Sequence, residues 1–217
     1  MARAKLPRKS THIDMTAMCD VAFLLLAFFI LTTKFKPAEA VSVTVPSSVS
    51  DKAAPESDVV LITIDKDGKV FLSMDNEEKK EYVANTLENE KGIKFNVQEF
   101  KKAQFIGVSF SKLPEFLAIP PEQRKGDNMP GIPCKDSTNN EMKEWLRIIK
   151  SAYMGQKMNL LVKGDNASKY PSFKNVISAF KYNDLLKFQI ITNPVNVPIG
   201  SELYKQAKAG LAVKKDG

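Results

Sequence analysis

With 217 residues, 43% of them hydrophobic, the chain has room for a membrane anchor and one modest globular domain, and the composition argues against a wholly disordered protein. The net charge of +7 arises from 32 basic against 25 acidic residues; no nucleic-acid motif accompanies it, and part of the excess sits at the two ends (Arg3, Lys5, Arg8, Lys9; Lys205, Lys208, Lys214, Lys215), so nucleic acid is not expected as a partner. The single histidine, His12, and the two cysteines, Cys19 and Cys134, form no ligand cluster and no C-x-x-C, which argues against a metal centre, a haem or a disulfide framework, and no cofactor is expected.

Residues 1–12 are basic and precede eleven uninterrupted apolar residues at 21–31. Extended to 13–33, the stretch reaches about the 20 residues that a bilayer-spanning helix needs. Four basic residues precede it and two, Lys34 and Lys36, follow, which places the N-terminus in the cytoplasm and the remainder outside. A cleavable signal also fits the basic start, the short apolar core and Ala38-Glu39-Ala40. The eleven residues between the basic cluster and the apolar core, two of them acids, weigh against cleavage, as does the length. A buried soluble helix is the other alternative, but the run lacks a polar face. Cys19 precedes the apolar run, where a lipoprotein cysteine would follow it.

The segment holds two acids, Asp14 and Asp20. A carboxylate within a bilayer costs several kcal/mol, so such residues face a protein interior or a water cavity and mark ion or proton paths. A carboxyl group withdrawn from water binds its proton more tightly, which suits a group that loads and releases protons near neutral pH. Asp20 is the candidate proton carrier. Thr16, Phe23, Leu24, Ala27 and Leu31 share its helix face by i+3/i+4 spacing, with Thr16, Leu24 and Ala27 its site neighbours. The competing reading is an acid that snorkels to the interface or pairs with a neighbouring helix. One helix cannot shield Asp20 alone, so partner helices are implied.

Residues 34–57 read as a linker, with Pro37, Pro46 and Pro55. Within it Val41, Val43 and Val45 alternate ahead of Pro46, the pattern of an edge strand and a candidate partner-binding segment; a plain tether is the alternative. Residues 58–197 form the outer domain. Val59–Ile64 and Val70–Met74 flank Asp65-Lys66-Asp67-Gly68-Lys69, a hairpin signal. Prolines 114, 120, 121, 130 and 133 crowd residues 113–135, a long loop of the kind that is either functional or disordered. Residues 140–149 predict an amphipathic helix with Met142, Trp145, Ile148 and Ile149 inward, 159–162 a strand, 172–180 a helix whose Phe173, Val176, Ile177 and Phe180 form a core stripe, and 188–192 a last strand. The basic tail 198–217 has no clear apolar pattern and reads as disordered. The expected fold class is α+β: one N-terminal transmembrane helix, then a small periplasmic domain with a mixed β-sheet packed by helices.

Asp14-Met15-Thr16-Ala17-Met18-Cys19-Asp20-Val21-Ala22-Phe23-Leu24-Leu25-Leu26-Ala27-Phe28-Phe29-Ile30-Leu31 resembles the N-terminal helix of the ExbD/TolR family, N/D-x-T-P-x-x-D-V-x-x-x-L-L-x-F-F. The family's protonatable aspartate falls on Asp20, and Ala17 stands where the family usually has proline. Val41-Ser42-Val43-Thr44-Val45-Pro46 resembles the family's extended segment after the membrane. Leu160-Leu161-Val162-Lys163-Gly164-Asp165 with Tyr170 resembles its V-x-I-x-A-D-x-x-x-x-Y motif. Against that pattern, residues 76–156 read as an insertion. The resemblance implies an inner-membrane motor subunit of bacteria, single-pass, not an enzyme. It implies a dimer of such helices inside a pentamer of ExbB-like multi-pass subunits. Proton flow past Asp20 would then energise a TonB-like protein for outer-membrane transport. A TolR-like subunit for envelope integrity is the sister alternative. A membrane-anchored periplasmic binding module, in which Asp20 only fixes helix packing, is the reading from a different class.

Overall fold

The computed structural model describes residues 15–32, 41–49, 53–135, 139–196, 198–202 and 204–205. The chain divides into two units, residues 1–37 and 38–217. The basic start, His12, Asp14, Lys34, Lys36 and most of the basic tail lie outside the described residues.

In the first unit α1 spans Met15–Thr32. Apolar residues surround its axis, so no face is reserved for water, and none of its residues is buried within the chain. At its end the Thr32 hydroxyl donates back to the Phe28 carbonyl (2.7 Å).

The second unit is built on a short strand β1 (Ser47–Ser48), the strands β2 (Val59–Ile64) and β3 (Val70–Met74), four helices, a strand β4 (Asn159–Gly164), a further helix and the strands β5 (Gln189–Ile190) and β6 (Asn193–Pro194). The main sheet runs β3-β2-β4-β5, antiparallel between β3 and β2 and parallel thereafter, while β1 and β6 form a separate parallel pair. This is the mixed sheet of the expected α+β fold. The hairpin turns where the Asp65 carboxylate accepts the Lys69 N–H (2.8 Å) and Gly68 takes φ +81°, a left-handed conformation that glycine adopts without strain. The register sets Val60, Ile62 and Ile64 opposite Met74, Leu72 and Val70, all buried. Val162 beside Ile62 continues that face.

The 84 residues between β3 and β4 (residues 75–158) hold α2 (Glu77–Lys91), α3 (Val97–Lys102), α4 (Leu113–Ala118) and α5 (Glu141–Ala152). Asn76 caps α2 by accepting the Lys79 N–H, Glu77 and Glu78 sit at its positive end, and Gly92 closes it in the left-handed conformation. On α5, Met142, Trp145, Leu146, Ile148 and Ile149 are fully buried, which includes all four residues expected inward. This helix contacts both α2 and α6 (Tyr170–Tyr182), where Val176 and Phe180 are buried and Phe173 and Ile177 half-buried.

The proline-rich stretch 113–135 is packed: Leu113, Phe116, Leu117, Ile132 and Cys134 are buried. Its prolines fall where a missing N–H costs least, Pro114 in the first turn of α4 and Pro121 at the start of a 3-10 turn. Just before it, Ile106 and Leu72 exchange two backbone hydrogen bonds (2.7 and 2.9 Å), and Ile132 donates to the Val70 carbonyl, so this connection covers the free edge of β3. Gly107 lies so close to the Phe71 ring that a Cβ would stand 2.4 Å from it, which leaves room for glycine alone.

Candidate functional site

On α1, Thr16, Asp20, Leu24 and Ala27 follow one another at helical spacing and share a face. Thr16, Asp20 and Leu24 are exposed within this chain and Ala27 is half-buried. Asp20 is the only charged residue in Met15–Thr32 and lies about 7.5 Å along the axis from Met15. The arrangement is one carboxyl group on an apolar cylinder long enough to cross a membrane. Such a group meets its environment outside its own helix, in lipid, water or another subunit.

The second cluster of candidates is residues 41–48, which lie across the second unit as a strap. Val41 and Val45 are buried, Val43 and Pro46 half-buried, while Ser42 and Thr44 point outward, the alternation of a strand with one face covered. The Thr44 N–H donates to Asp165 Oδ2 (2.9 Å), and the Thr44 carbonyl accepts from the Asn166 N–H (2.8 Å). Further along, the Pro46 and Ser48 carbonyls accept from Asn193 and Val195 (2.9 Å each). The N–H groups of Ala167 and Thr44 hold the Asp165 carboxyl below the usual aspartate range. Sequence reasoning placed Asp165 in a motif without giving it this role; an aspartate followed by Asn166-Ala167-Ser168 just past a strand is a turn signal.

Two grooves border the strap. One, of about 440 Å³, is lined by Val41, Ser42, Gln104, Phe105 and Arg124 among others. The other, of about 730 Å³, lies between Pro46, Ser48, Leu161, Gln189, Ile190 and Pro194. Arg124 had no sequence signal. Its side chain is almost fully enclosed and donates to the carbonyls of Ile119 and Leu117 (2.8 and 2.9 Å) and to Glu99 Oε2 (2.9 Å), with its guanidinium over the Phe116 ring. Cys134 is buried too, and burial pushes its thiol up to about 11 against the opposing bond to Asn140. Among the described residues, no group of three or more His, Cys, Asp or Glu side chains could hold a metal ion.

An acid-bearing apolar helix followed by an α+β domain defines a membrane-anchored protein with one span near its N-terminus. The family model described as Biopolymer transport protein ExbD/TolR matches residues 7–195, and the chain belongs to that family. It is thereby a biopolymer transport protein that takes part in transport complexes, within a family that is transport-related rather than enzymatic. Comparison with curated proteins and with solved structures gave no match.

Proposed function

We propose that this chain is the proton-driven motor subunit of an inner-membrane complex, with Asp20 as the proton carrier. The observation that carries the reading is the single acid on an 18-residue helix that buries none of its side chains within its own chain. Such a helix needs both lipid and partner helices, and an acid held between helices cycles between neutral and charged forms as protons pass. Thr16, Leu24 and Ala27 form the face on which it meets the surrounding ExbB-like multi-pass subunits and a second copy of α1. Residues 1–12 lie in the cytoplasm and the domain lies in the periplasm, in keeping with the basic start. The strap, with Val41, Val43, Val45 and Pro46, is the surface from which work passes to a TonB-like protein.

The test is proton-motive-force-dependent uptake by Asp20→Asn, with co-purification of the ExbB-like partner alongside. Uptake is lost and assembly kept if Asp20 carries the proton. Retained uptake removes the motor reading and leaves an anchored binding module. Loss of both makes Asp20 a packing residue.

A further inference from the structure

The strap is held in two different ways along its length. From Thr44 onward its backbone is hydrogen-bonded to the Asp165 carboxylate, to the turn after β4 and to β6, with Val45 also buried. At Val41 the hold is apolar: the side chain is 9% exposed and belongs to the same core as Phe105, with which it lines the 440 Å³ groove. Phe105 is itself firmly placed. Its ring meets Phe71 edge-on (5.9 Å, 80°) and Phe116 at 6.0 Å, and the next residue is locked to β3 through the Ile106–Leu72 bonds. Across the groove, Arg124 ties down the loop after α4.

We propose that the β3–β4 connection is a clamp on the strap: Phe105 seats Val41 and so sets how readily the strap comes away from the domain. Order along the chain gives the clamp its leverage. The strap follows α1 in sequence, so tension transmitted along the backbone from that side loads, among the described residues, Val41 first, then Val43 and the Thr44 bonds to Asp165 and Asn166, then those of Pro46 and Ser48. Peeling from one end breaks these contacts singly rather than together. The first contact met is therefore a threshold for all the others. Phe105 falls within residues 76–156, the stretch that reads in the sequence as an insertion. The threshold's consequence for transport rests on the motor reading above; the clamp itself does not.

Hydrogen exchange on the full-length protein in detergent tests it. Val41→Ala, Phe105→Ala and the double variant are compared at the strap amide of Thr44 and at its partners Asn166, Asn193 and Val195, with Ile62 and Val162 of the central strands as controls. Each single variant is expected to speed exchange of the strap group roughly tenfold while the controls hold. The double variant is expected to add little, because both changes remove one contact. Unchanged strap exchange in either single variant, or effects that multiply in the double, overturns the clamp. Where Phe105→Ala also speeds the controls, Phe105→Leu takes its place under the same criteria. Uptake is not the readout, so failure of the clamp and failure of the motor reading are separate results.

Discussion

The apolar residues of α1 and those of the β3–β4 connection are of the same kinds and have opposite fates. In α1, Phe23, Leu24, Phe29 and Leu31 all stand largely exposed. In the connection, Phe100, Phe116 and Trp145 keep 2% or less of their surface, and the buried Arg124 has a carbonyl or carboxylate for each donor it uses. Apolar surface left exposed has to be stabilised from outside the chain, by lipid or by other subunits. The connection covers its apolar groups within the domain, although Trp145 Nε1 and the Tyr153 hydroxyl are buried without a hydrogen-bond partner among the described residues. The first is built for company and the second for self-sufficiency, although both are rich in Phe and Leu.

That contrast breaks most visibly at Trp145. Trp145→Ala removes a fully buried indole stacked against Phe110 (4.9 Å) and Phe100 (6.3 Å), and should cost the domain about 3–5 kcal/mol, read by denaturant unfolding of the full-length protein in detergent. Under the same assay Asp20→Asn should leave domain stability unchanged. A Trp145→Ala cost below about 1 kcal/mol would mean that the connection is draped over the core rather than part of it. Arg124→Ala comes next, at about 2–3 kcal/mol, because it removes the buried donor that the Leu117 and Ile119 carbonyls accept from and leaves Glu99 without its guanidinium partner.

The smallest effect is a pH dependence of the strap. Asp165 has its carboxyl held below the usual range by the N–H groups of Ala167 and Thr44. A depressed folded-state pKa contributes stability that is present above the unfolded value and lost as pH falls through the folded one. Protection of the Thr44 amide should therefore stay level from pH 7 down to about 5, then fade below the ordinary aspartate range near about 4. Fading already at pH 6 would show that another group governs the strap.

Much of the sheet was legible because its signals are local. The apolar run Val59–Ile64, the Asp-Gly turn and the stripe on α5 each needed only a short window of sequence. The α2 helix was not legible from periodicity, since only Val83, Ala84 and Leu87 of its fifteen residues are buried and nearly all the others are charged or polar; its caps, Asn76 and Gly92, were the available signal. The covering of β3 by Ile106 and the enclosure of Arg124 depend on residues far apart in the chain, which no local pattern encodes. For the candidate site the balance is reversed. Asp20 stands out because charge is so costly in an apolar run, and the Val41–Val45 alternation is visible by eye. The tie between Asp165 and Thr44 spans 121 positions and only the fold reveals it.

Trp145 has one more consequence, an optical one. It is the sole tryptophan of the chain, and its neighbours on both faces, Phe100 and Phe110, come from the connection rather than from the sheet. An indole walled off from water emits at shorter wavelength than one that water reaches. The protein thus carries a built-in fluorophore whose colour reports, without any label, whether that connection is seated while the complex works.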